Sequence, residues 1–167
     1  DLTRSLQNET HQRQVEQQRR IQLEQALAGP LAAGRITLND GRIGISGSVL
    51  FALNSAELEP EGRELLESLV APLQVYLGEH DELLMISGFT DDLPIQRGNL
   101  QFADNWHLSA ERALTVTRAL IDAGMPPSLV FAAAFGAQHP VAPNQNDEGR
   151  ARNRRVELAP VPQSAGQ

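Results

Sequence analysis

The chain has 167 residues, a mass of 18.2 kDa and a formal net charge of −7, and 41% of its residues are hydrophobic. That is enough for one packed domain plus an appendage and excludes wholesale disorder, while the acidic balance argues against a nucleic-acid partner, whose affinity rests on neutralised phosphates. There is no cysteine and no lysine, all fourteen basic residues being Arg, which excludes disulfides, thiolate metal sites, thiol nucleophiles and Schiff-base chemistry.

No apolar run approaches the roughly 20 residues needed to cross a bilayer. The chain opens on Asp1 with no leader pattern, and we expect a segment of a longer protein whose membrane anchor lies upstream. Residues 1–30 form a polar helical arm. Its apolar positions (Leu2, Leu6, Val15, Ile21, Leu23, Leu27) are too sparse to anchor it well in a core. It is a connector or half of a weak helix pair, ended by Gly29-Pro30.

Residues 35–38 and 42–45 alternate around Asn39-Asp40-Gly41, a hairpin signal. Residues 48–51 are expected as a short strand. A helix follows over about 61–77, with Leu65, Leu66, Leu69, Val70, Leu73 and Leu77 on one face and acids crowding its entry as a solvated face. The apolar run 83–87 is a buried strand that leads into Gly88-Phe89-Thr90-Asp91-Asp92 and a long loop. A second helix is expected over 109–123, capped by Ser109 and stopped by Gly124. Strands follow at 129–135 and 155–158, with a helical turn near 148–153 between them. Residues 161–167 are expected as a disordered tail.

Strands that alternate with two substantial helices predict an α/β two-layer sandwich, a mixed sheet with helices on one face, over residues 31–160. No glycine-rich phosphate loop follows any strand.

The densest polar feature is Thr90-Asp91-Asp92 at a strand end, where α/β folds present ligand groups. Asp91 serves a ligand or an Asx-turn. A glycosidase pair needs two carboxyls across a cleft, and only Glu111 offers itself as a partner. The four histidines lack metal-ligand spacing, and no cofactor or metal is expected. Arg112 lies one turn into the helix predicted from Ser109, where a cation opposes the dipole and needs a carboxylate partner. Asp91 and Arg112 on adjoining edges of one pocket would bind a zwitterion, the carboxylate taking an ammonium and the guanidinium forking onto a carboxylate. Arg150, Arg152, Arg154 and Arg155 read as a solvated face, with Arg155 and Glu157 on one side of the last strand.

Residues Asn105, Leu108, Ser109, Arg112, Ala113, Val116 and Leu120 fit the pattern N-x-x-L-S-x-x-R-A-x-x-V-x-x-x-L. Residues 88–91 resemble G-H-T-D with Phe89 in place of the histidine, and 148–157 resemble E-G-R-A-x-N-R-R-V-E. Residues 49–58 resemble an opening L-F…S-A-E-L. These four motifs, in order over about 49–158, resemble the OmpA C-terminal-like peptidoglycan-binding domain of OmpA, peptidoglycan-associated lipoprotein and the stator protein MotB. Asp92, Pro94 and Ile95, followed by Asn105 and Trp106, are similar to the MotB subtype. The resemblance implies an OmpA-like fold, no enzymatic activity, and non-covalent binding of the diaminopimelate of the peptide stem. It makes Asp91 and Arg112 the ligand pair, Asn105 and Leu108 the adjoining loop, and Asn153 and Arg154 either ligand-lining or structural. It further implies a homodimer, a membrane partner subunit reached through an N-terminal transmembrane segment, and a periplasmic location on an inner-membrane anchor. The Phe89 departure removes one polar contact near the site.

Overall fold

The structure, a computed structural model, describes residues 2–163. Helix α1 (Leu2–Ala26) is exposed along most of its length. Its C-terminal end is not loose, however. Leu23 and Leu27, one turn apart, are 1% and 0% exposed and enter the core beside the later helix α4. The sparse stripe thus anchors one end of the arm. The chain then continues helically through Gly29-Pro30 as α2 (Ala28–Ala32). Pro30 is tolerated there because the first N–H groups of a helix have no intrahelical acceptor.

Strands β1 (Thr37–Asn39) and β2 (Arg42–Ser46) form the expected hairpin, with Asn39 opposite Arg42. Asp40 and Gly41 both take positive φ, 53° and 78°, the backbone of a two-residue turn that follows sheet twist. The strand predicted at 48–51 is instead a helical turn, α3 (Gly47–Leu50), capped by the Ser46 hydroxyl accepting from the Ser48 N–H. A short apolar run has no period of its own, so the Ser46 cap and the Gly47 N–H bond to the Arg154 carbonyl (2.8 Å) decide it.

Helix α4 (Pro60–His80) buries Leu65, Leu66, Leu69, Leu73 and Leu77. It is followed by β3 (Glu82–Phe89), α5 (Asn105–Asp122), a 3-10 turn (Pro127–Leu129), β4 (Val130–Gly136), α6 (Asp147–Asn153) and β5 (Arg155–Pro162). The sheet order is β1-β2-β5-β3-β4. Only β3 and β4 run parallel, joined by the α5 crossover. Ile43, Ile45, Leu84, Ile86, Val156 and Leu158 face α4 and α5 and close the core. Truncating any one of these side chains to Ala would cost about 2–5 kcal/mol.

β5 runs past the boundary drawn at residue 160. Val161 pairs with Leu83 and Pro162 with Glu82, because Pro at a strand end forfeits little pairing. Residues 164–167 of the expected tail lie outside the described residues. No helix among the described residues is long and apolar enough to cross a membrane.

Candidate ligand-binding site

The site gathers where β3 ends, α5 begins and the chain enters β5. Gly88 allows this junction. A Cβ there would lie 2.1 Å from the Ser109 carbonyl oxygen, so any side chain would push α5 off the strand. Ser109 completes the seam, donating to the Trp106 carbonyl and accepting the Gly136 N–H.

This seam corrects one sequence expectation. Ser109 is not the cap of α5 but a fully buried residue inside it. The cap is Asp104, whose carboxylate accepts the His107 N–H at 2.8 Å. Arg112 therefore sits two turns into the helix, and the dipole penalty placed on it at the N-terminus largely falls away.

Asp91 is 8% exposed. One carboxylate oxygen accepts the Leu93 N–H at 3.1 Å, the Asx-turn, while the other lies 2.6 Å from Arg154 Nη1. The Asx-turn reading of Asp91 therefore holds, and its direct partner is Arg154 rather than Arg112. Thr90 fixes the strand end, its N–H reaching the Gly136 carbonyl.

Arg112 is 5% exposed. Its Nε donates to the Ser55 carbonyl at 2.9 Å, and its guanidinium stands 5.0 Å from the centre of the Phe51 ring. It has no ion pair among the described residues. Burial, and then the nearby Arg154 charge, lower its pKa to about 10, with Asp91 partly offsetting them. Two guanidiniums and one carboxylate leave a local excess of one positive charge, with Arg112 buried and Arg154 half-buried at the opening. Such a cluster takes an anion, and the guanidinium geometry favours a carboxylate held by two N–H groups.

The other predicted residues divide. Asn105 lines the rim and donates from Nδ2 to the carbonyls of Asp91 (3.3 Å) and Leu93 (3.1 Å), fixing the loop. Leu108 is buried beneath it. Asn153 is fully buried. Its amide binds Val141, Ala142 and Asn144, so it holds the 141–144 segment. Arg154 is brought into the cluster.

The arginine run is not a solvated face throughout. Arg155 and Glu157 are 9% and 8% exposed and pair at 2.6 Å on the sheet face away from the helices. Phe89, stacked on Phe135 and lying under the Arg155 guanidinium at 3.9 Å, belongs to that face too. Ser55 and Phe51 were missed as partners of Arg112. Their positions in the opening motif were the only signal.

Residues 50–154 match the OmpA family, and the chain belongs to that family. One relative is motility protein B of Bacillus subtilis, 35% identical over 126 residues, which cover 75% of this chain and 46% of that protein. Another is the peptidoglycan-binding protein ArfA of Mycobacterium bovis, 31% identical over 80% of this chain and 39% of ArfA. The chain thus spans about half, or less, of these relatives' length. Among solved structures, the cell wall anchor of the type VI secretion system (T6SS) from Pseudomonas aeruginosa superposes with a TM-score of 0.70 at 30% identity. That match covers 84% of this chain and 97% of the anchor.

Proposed function

We propose that this domain binds peptidoglycan non-covalently, through the diaminopimelate of its peptide stem, and so anchors a membrane complex to the cell wall. The observation that carries the proposal is the buried, unpaired Arg112 beside the Asp91–Arg154 pair in a chain of the OmpA family. The ligand carboxylate lies against Arg112, and its ammonium shares the Asp91 carboxylate with Arg154. Asn105 and Leu108 hold the loop that carries these groups. Asn153 supports the entry to β5.

The domain is a binder and not a hydrolase. Asp91 is held against a guanidinium, whereas glycoside cleavage needs two carboxyls free to act across one bond. The chain works in the periplasm as part of an inner-membrane-anchored homodimer, with the arm over residues 1–30 linking the binding domain to the membrane and its partner subunit. A MotB-like stator subunit is the first reading, supported by the likeness to motility protein B. The second is an anchor for an envelope complex unrelated to motility, supported by the likeness to the T6SS anchor.

Sedimentation with insoluble peptidoglycan tests the proposal. The wild-type domain should pellet with the sacculi and free diaminopimelate should release it. A domain left in the supernatant would overturn it, and release of soluble wall fragments would overturn the non-catalytic reading.

A further inference from the structure

We propose that a hollow beside this site, floored by Trp106, receives a sugar ring of the glycan strand; this rests on the peptidoglycan reading. The hollow has a volume of about 450 Å³ and is lined by Asp92, Pro94, Asp104, Asn105, Trp106 and Gln138, among others. That lies within the ~300–1,000 Å³ range of small-molecule sites. It joins the carboxylate site through Asn105, whose side chain lines the hollow and bonds the Asp91 carbonyl.

Trp106 is 51% exposed, unusual for the chain's one tryptophan. Its placement is nonetheless fixed. The indole lies on Gly136, where a Cβ would stand 3.2 Å from Cδ2 and Cε3. Gly136 also has φ 57°, a backbone that excludes most side chains. The platform therefore exists because residue 136 has no side chain.

The chemistry of the lining selects the ligand. It contains two carboxylates and no cation, so the acidic groups of a peptide stem are repelled from it and directed to Arg112 and Arg154. A neutral pyranose is suited to it: its C–H face stacks on indole, and its hydroxyls donate to Asp92 and exchange hydrogen bonds with the Gln138 amide. An ammonium would also be drawn to an aromatic ring flanked by acids. The one side-chain ammonium of the stem, however, is already placed at Asp91. Adjacent sites of opposite charge would thus read two parts of one polymer.

Because the protein has a single tryptophan, its emission reports this hollow directly. Three probes separate the possibilities: chitotetraose, which is sugar without peptide; a diaminopimelate-containing tripeptide without sugar; and the disaccharide–tripeptide. Chitotetraose should shift Trp106 emission in a saturable way. The disaccharide–tripeptide should bind more tightly than the tripeptide, and Trp106→Ala should remove that advantage, about tenfold or more, while tripeptide affinity stays unchanged. Trp106→Phe, which keeps an apolar plate and guards against misfolding, should retain part of it. No emission change with chitotetraose, an emission change driven by the tripeptide's ammonium instead, or an undiminished advantage in folded Trp106→Ala would each overturn the assignment. Failure of the tripeptide to bind the wild-type protein would overturn the peptidoglycan reading, with the hollow still judged by chitotetraose alone.

Discussion

Arg155 and Arg112 are almost equally buried, at 9% and 5% exposure, yet their surroundings differ. Arg155 is bonded through all three of its nitrogens. Its Nε reaches Glu157, its Nη groups reach the carbonyls of Asn153 (3.1 Å) and His139 (3.2 Å), and one face lies on Phe89. Among the described residues Arg112 has a single hydrogen bond, to the Ser55 carbonyl, with Phe51 beside it. A guanidinium offers five N–H donors; among the described residues only the Nε of Arg112 is bonded to the protein, and its Nη groups are left open at the edge of the site. A buried charge that the protein itself completes serves the fold, and the one left open is where the proposed ligand would bind.

The largest expected effect tests the Arg155 side. Glu157→Ala leaves Arg155 buried and unpaired, and breaking such a pair costs about 3–5 kcal/mol. At roughly 2–4 °C per kcal/mol for a domain of this size, melting should fall by about 10 °C. Peptidoglycan retention by the protein still folded should stay at the wild-type level. A loss under about 1 kcal/mol would erase the distinction from that side, since the pair would then be worth no more than a surface one.

Arg112→Met should do the reverse. Loss of the group on the ligand carboxylate costs about 2–5 kcal/mol of binding, tenfold or more in affinity. The melting temperature should hold or rise, because a costly buried charge is gone. Asp91→Asn should lower both quantities, since it also leaves Arg154 without its partner. Sedimentation and thermal melts on the same preparations read both, and full retention by folded Arg112→Met would sink the ligand assignment.

Alkaline titration gives a smaller effect with a definite sign. Folded Arg112 releases its proton near pH 10, earlier than in the unfolded chain, so the unfolded state binds more protons above that pH and stability gains as pH rises. Tyr76 runs the other way. Burial first, then the neighbouring Glu82 carboxylate, raise its pKa from 10 to about 12, so folded protein keeps the proton longer and stability declines across that window. The two oppose each other in the wild type. Denaturant melts between pH 10 and 12 should show a steeper decline in Arg112→Met and a gain in Tyr76→Phe. The same slope in all three proteins would remove the special status given to Arg112.

The smallest effect belongs to the rim. Asn105→Ala frees the carbonyls of Asp91 and Leu93 and should weaken peptidoglycan retention severalfold, at a stability cost of about 1 kcal/mol. Calorimetry with the tripeptide would resolve it.

Much of this could be read in the residues. The Asp40-Gly41 turn, the leucine spacing of α4 and the alternation of Val156 and Leu158 against Arg155 and Glu157 each carry their own period. Chemistry and resemblance both pointed to Asp91 and Arg112, and the structure sets the two beside Arg154. What escaped depended on distant packing. Residues 48–51 were too short to show a period; a cap at Ser46 made Gly47–Leu50 helical and left Phe51 extended, bridged to Leu58. Asp104 and Ser109 are both good caps, and the choice fell to tertiary contacts: Phe102 is buried with its ring against His107, and Ser109 is needed at the Gly88 seam. Arg154 lies 63 residues from Asp91. No local pattern links them; the sheet order does.

That order has a consequence for how the protein is made. β5 is the last strand in sequence but the middle one in space, hydrogen-bonded to β2 on one side and β3 on the other. Until residues 155–162 have left the ribosome, β1 and β2 form only a lone hairpin, and β3 and β4 lack their antiparallel neighbour. Pairings so far apart in the chain carry a large closure cost and form slowly. Arg154 arrives with that strand, so the cluster of Asp91, Arg112 and Arg154 is incomplete until then. A nascent chain would stay loose until residues 155–162 had emerged, and the sheet and the Asp91–Arg154 contact would then form together.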